Sequence, residues 1–172
     1  MYVAISLGLT LLAGAFAVQG QTPRVSPRGT VKAVVNGIPV LIEYGRPSLK
    51  GRKLNTLARP GKIWRTGADE APTLACLGDI TLGPLLVPAG NYSLFTIPGE
   101  DEWTLIVNRV ARQQWGDSEY DKKKDLGRIS MKVARLATPV EQFTIVIEPD
   151  REGGILKISW GDVEASVLLK AP

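Results

Sequence analysis

Apolar residues in this chain recur mostly at every second position, in short runs broken by glycine, proline and Asn-Gly corners. That alternation is the signature of half-buried β-strands rather than of helices. The clearest case runs from Pro88 to Asn108. Asn91–Ile97 and Trp103–Val107 read as paired strands, with Pro98-Gly99 at the corner. Proline presets φ at the second position of a turn and glycine accepts φ > 0 at the third. Tyr92 and Leu94 share one face of the first strand, and Phe95 and Ile97 share the other. Trp103, Leu105 and Val107 line one face of the second. With large apolar groups on both faces, this hairpin is predicted to be central and covered on both sides.

The same pattern extends along the chain. Thr30–Val35 and Ile38–Tyr44 flank Asn36-Gly37, a pair suited to a type I′ hairpin turn. Pro39 lacks an amide proton, which predicts an edge or bulge at that point. Thr73–Leu77, Ile80–Leu82 and Leu85–Val87 are strands divided by Gly78-Asp79 and Gly83-Pro84. Gly127–Leu136, Val140–Glu148, Ile155–Trp160 and Val163–Leu169 follow, the last two read as meeting at a Gly161-Asp162 turn. The prediction is an all-β fold: an antiparallel β-sandwich or open barrel of about ten short strands. It forms one domain over residues 30–170, preceded by a flexible lead-in at 21–29.

One stretch breaks the pattern. Gly45–Gly67 (GRPSLKGRKLNTLARPGKIWRTG) is rich in glycine, lysine and arginine. It predicts one long ordered basic loop with a short helix within Leu49–Ala58. Leu54, Leu57, Ile63 and Trp64 are placed to pin it to the core. Loops of this length inside a compact domain are commonly functional.

Charge sharpens this picture. The chain has 172 residues and a net charge of +4. From Arg24 to Ala68 there are ten basic residues and one acid, Glu43, whereas the remainder is net acidic. A fold that joins these halves has either internal charge pairing or a basic face. The first twenty residues carry no charged side chain. Ala13-Gly14-Ala15 and Ala15-Phe16-Ala17 are small-x-small sites, so residues 1–20 predict a signal peptide and a periplasmic or secreted protein. The alternative is a membrane anchor, but the apolar run Val3–Val18 falls short of the roughly 20 residues a spanning helix needs.

Histidine is absent, which removes Ser-His-Asp and Cys-His catalysis and the usual catalytic zinc sites. Cys76 is the lone cysteine and reads as an inert core thiol. The best candidate site is the basic loop itself: Arg46, Ser48 and Arg52, then Trp64, Arg65, Thr66 and Glu70. Arginine forks recognise carboxylate, phosphate or sulfate, and an exposed tryptophan stacks on a sugar. These residues predict binding of an anionic or carbohydrate ligand of the cell envelope, with Arg46 and Arg52 facing the ligand and Arg65 tied to Glu70. The opposite reading is that the arginines pair internally and hold the loop down, in a structural envelope protein without a small ligand. Asp69 and Glu70 are weak catalytic candidates for a carboxylate-dependent hydrolase, and Glu100, Asp101 and Glu102 sit on a turn where charges are normally just solvated. Asp117, Glu119, Asp121 and Asp125 alternate like a calcium loop but lack its glycine and terminal glutamate. No metal site, no cofactor and no nucleic-acid partner is predicted.

Several of these stretches carry a resemblance. YGRPSLKGR, KIWRTGADEAPT, LLVPAGNYSLFTIPGEDEWTLIVN and the following QWG resemble the exported bacterial family called domain of unknown function 2911 (DUF2911). The resemblance spans about Thr30 to Leu169. It implies an exported, single-domain, β-rich protein and brings no established activity or substrate. The family's motif residues fall on Arg46, Pro47, Gly51, Arg52, Trp64, Arg65, Thr66, Gly67 and Glu70. Cys76 stands where the family more often has Thr, Ser or Val.

Overall fold

A computed structural model describes residues 25–111 and 120–172. The segment 1–20 read as a signal peptide lies outside them, as do Asp117, Glu119 and the QWG motif. Nine antiparallel strands form one sheet: β1 Arg28–Val35, β2 Ile38–Gly45, β3 Thr73–Cys76, β4 Ile80–Leu82, β5 Leu85–Val87, β6 Gly90–Ile97, β7 Glu102–Asn108, β8 Asp125–Asp150 and β9 Gly153–Lys170. Their spatial order is β1-β2-β3-β6-β7-β8-β9-β4-β5. The sheet therefore ends in β1 and β5 and is not a closed barrel. It folds over on itself, because residues from β2, β6, β7, β8 and β9 all enter one core that includes Ile42, Leu94, Trp103, Leu105, Phe143, Ile158 and Trp160. The architecture is thus sandwich-like and all-β. No helix among the described residues is long and apolar enough to cross a membrane.

The predicted central hairpin is β6–β7, at the middle of the sheet order. Tyr92, Leu94, Trp103, Leu105 and Val107 face the main core. Phe95 and Ile106 form a second cluster with Ala71 on the opposite face, covered by Ile97 and Tyr120. At the corner Gly99 serves close approach: a Cβ there would lie 2.2 Å from the Glu102 carbonyl oxygen. The β1–β2 turn has φ of 49° at Asn36 and 85° at Gly37, as a type I′ turn requires. Pro39 is not at a bulge, but it stands at a local edge, one residue beyond the end of the β2–β3 ladder. Opposite Val34 it is the second pair from the turn, so its nitrogen points away from β1, to where the ladder with β3 has ended at Cys76.

Two features differ from the expectation. The lead-in is not wholly outside the fold, since Arg28 opens β1 and bonds Glu70 at 3.0 Å. Gly161-Asp162 is not a hairpin turn: β9 runs through it, and β8 is likewise one long strand. The pairing is bulged instead. Between the pairs Arg135↔Val163 and Val140↔Gly161, β8 advances five residues while β9 advances two; by Thr144↔Ser159 it has advanced four more against two. Gly161, at φ 61°, supplies the left-handed kink that such bulges use.

Candidate functional site

The bulged part of β8 is where the basic loop attaches. Leu49 N donates to the Glu141 carbonyl at 3.0 Å, and Phe143 N donates to the Pro47 carbonyl at 2.8 Å. The loop's far end is stitched to the end of β6: Trp64 and Thr96 exchange backbone hydrogen bonds of 2.7 and 2.9 Å, and Gly61 N donates to the Pro98 carbonyl. Between these anchors the chain arches over the sheet and carries α1, Leu54–Leu57. Leu49, Leu54, Leu57 and Trp64 pack on the core, while Ile63 remains partly exposed.

A groove of about 600 Å³ opens beneath this arch. Its apolar lining comes from Leu49, Leu54, Ala58, Pro98, Trp103, Pro139 and Val163, which are drawn from the loop, the β6–β7 corner and the β8–β9 bulge. Three cations, Arg52, Lys53 and Arg135, and two acids, Glu100 and Asp162, complete it. Arg52 folds back on its own loop, its guanidinium donating to the carbonyls of Leu49 and Ser48 at 2.9 Å each. Lys53 follows it at the start of α1 and is exposed. Arg135 lies 3.0 Å from Asp162, and both are more than half exposed, so the pair is weak and open to competition from another anion.

The other sequence candidates lie elsewhere. Arg46 is part-buried, and its guanidinium donates to the Phe143 carbonyl at 3.2 Å and to Thr144 Oγ1 at 3.1 Å. It clamps β8 rather than presenting itself to a ligand. Trp64 is no free stacking surface. Its ring stacks on Trp160 at 5.6 Å and 13° and meets Trp103 and Phe143 edge-on at 6.1 and 5.2 Å. Thr66 is buried and left-handed (φ 56°), with its hydroxyl 3.0 Å from that of Thr96. Ser48 bridges to Gln142, and its carbonyl accepts from Arg52. Arg65 is half-buried and engaged.

Glu70 accepts from Arg28, and Asp69 is 7% exposed with one carboxylate oxygen, Oδ2, buried and unpartnered. Neither Asp69 nor Glu70 lines the groove. Asp121 caps Lys123 N, and Asp125 binds Tyr120, Arg128 and Asn108. No group of three or more His, Cys, Asp or Glu among the described residues could hold a metal ion. Burial pushes the Cys76 thiol up from its ordinary value, and its Sγ donates to the Pro88 carbonyl at 3.4 Å.

Of the sequence candidates, then, the groove keeps Arg52, and it also takes in Glu100 from the β6–β7 corner. Arg135 and Asp162 were not singled out by sequence, because a charge on an exposed strand position carries no local signal. Lys53 stood in the loop as one cation among many.

Fold and site together define an all-β, sandwich-like domain with a cation-rimmed apolar groove under a pinned basic loop. No curated protein and no solved structure matches the chain. Residues 26–169 match the family described as "Protein of unknown function (DUF2911)", and the chain belongs to that family.

Proposed function

We propose that the protein is an exported binding module of the bacterial cell envelope that takes an anionic ligand in the groove under its basic loop. The observation that carries this is an apolar-floored groove of about 600 Å³ lined by three cations, Arg52, Lys53 and Arg135, against two acids, Glu100 and Asp162. Ligand sites are typically concave and mostly apolar, with a few polar groups that fix orientation. Guanidinium groups suit carboxylate, phosphate or sulfate. The envelope location rests on the uncharged, small-residue-rich opening of the sequence. A carbohydrate ligand is disfavoured, because the indole of Trp64 is occupied by other rings and Trp103 is only 2% exposed. Carboxylate-based hydrolysis by Asp69 and Glu70 gains no support, since both lie away from the groove.

The test is thermal melting with sulfate, phosphate and galacturonate. Wild-type protein should gain several degrees with the best anion, as any ligand selective for the folded state gives. Arg52→Gln and Arg135→Gln should lose that gain, and Arg46→Gln should melt lower yet keep it. Equal shifts in all four proteins would overturn the proposal.

A further inference from the structure

The groove's chemistry is divided, and the division narrows the ligand. Its walls are Leu49, Leu54, Pro98 and Pro139 over a buried floor of Trp103 and Val163, whereas its charged groups are the cations Arg52 and Lys53 on the loop and Arg135 on β8, with the acids Glu100 and Asp162. A small inorganic anion would satisfy the cations and leave the apolar walls in water. A sugar would place hydroxyls against leucine, proline and valine carbons that cannot hydrogen-bond them. Burying polar groups without partners costs free energy, and covering apolar carbons gains it. One occupant satisfies both halves: an anionic head joined to a hydrocarbon tail.

We infer that the groove binds a single-chain anionic amphiphile as a free monomer, its carboxylate or phosphate head at Arg52 and Lys53 and its tail along the accessible carbons of Leu49, Leu54 and Pro139. This rests on the anionic-ligand reading above and specifies it. The Arg135–Asp162 pair, exposed and 3.0 Å long, closes one side of the groove and can release Arg135 to a second oxygen of the head. Gly161 enlarges the space under α1. A Cβ placed there would come within 3.6 Å of Leu54 and 3.7 Å of Leu49, so a side chain at 161 would occupy room that the tail uses.

The experiment is calorimetric titration of the wild-type chain with acetate, butyrate, hexanoate and octanoate, with octyl phosphate, inorganic phosphate, octyl glucoside and phosphatidylglycerol vesicles as further probes. Affinity should rise by about fourfold per methylene, the equivalent of the ~0.8 kcal/mol of a buried methylene. The double variant Arg52→Gln/Lys53→Gln should weaken octanoate by about tenfold or more, and Arg151→Gln, remote from the groove, should change nothing. Acetate and octanoate binding alike, with phosphate retained, would overturn the amphiphile and leave the anionic reading standing. Octyl glucoside binding as tightly as octanoate, indifferent to the double variant, would overturn the anionic head. Binding to vesicles without binding to monomers would overturn the monomeric ligand. No binding of any probe would remove both readings together. The chain-length series uses only the wild type, so it decides the matter even where a variant fails to fold.

Discussion

Replacing Trp64 by alanine tests whether this residue is a keystone or a ligand platform. Its indole touches three other rings, with centroids 5.2 to 6.1 Å away. Each aromatic pair is worth about 0.5–1.5 kcal/mol beyond the area it buries. Three pairs together supply about 1.5–4.5 kcal/mol, to which the lost transfer energy and the residual cavity add. Large aromatic truncations in cores cost about 3–5 kcal/mol. The expected loss is therefore about 4 kcal/mol, a large share of the ~5–15 kcal/mol that holds a typical domain together. Trp64→Phe keeps part of the packing and should lose about half as much. Urea unfolding followed by far-ultraviolet circular dichroism is the suitable assay, because indole fluorescence itself changes in the variant. The midpoint should fall with the slope preserved. A loss below about 1 kcal/mol for Trp64→Ala would refute the keystone role and restore the indole as a solvent-facing surface.

Arg46→Met keeps the aliphatic stem but removes two hydrogen bonds from a charged donor; it should cost about 2–3 kcal/mol, against under about 1 kcal/mol for Arg52→Met, whose bonds are local and exposed. Gly45→Ala would bring a Cβ to 2.1 Å from the Ala68 carbonyl oxygen. Backbone cannot yield as a side-chain tip does, so chemical denaturation should show a loss of about 3 kcal/mol. A thiolate-directed reagent should leave Cys76 unmodified in the native protein at mild alkaline pH and label it fully in urea, because the thiol is buried and its ionisation suppressed. Tyr120 has its pKa pushed up to about 12 by burial first and then by the hydrogen bond to Asp125. The unfolded chain ionises this phenol near pH 10 and the folded one later, so the stabilisation is complete below about pH 10 and is lost towards pH 12. Tyr120→Phe should flatten that part of the stability profile, as alkaline unfolding curves would show.

Strand positions and the central hairpin were legible because each depends on neighbours in sequence: alternation, a proline, an Asn-Gly pair. Gly161-Asp162 misled for a physical reason. A kinked bulge and a hairpin corner both want glycine at positive φ, and only the pairing of Gly161 with Val140 separates them. Trp64 and Arg46 sit among cations and glycines, a setting that reads as a binding loop. What assigns them to packing is contact with residues near 143 and 160, far away in sequence. The groove was illegible as a whole, because it is assembled from four separated stretches. Arg52 and Lys53 were visible within a basic run, but Arg135 and Asp162 meet them only through the β8–β9 bulge.

The most direct measurement is amide chemical-shift mapping of isotope-labelled protein titrated with octanoate. Saturable shifts are expected, confined to residues 49–58, 98–103, 135–139 and 161–163. Shifts centred instead on Arg46, Asp69 and Glu70, or scattered over the surface lysines without saturation, would contradict this expectation.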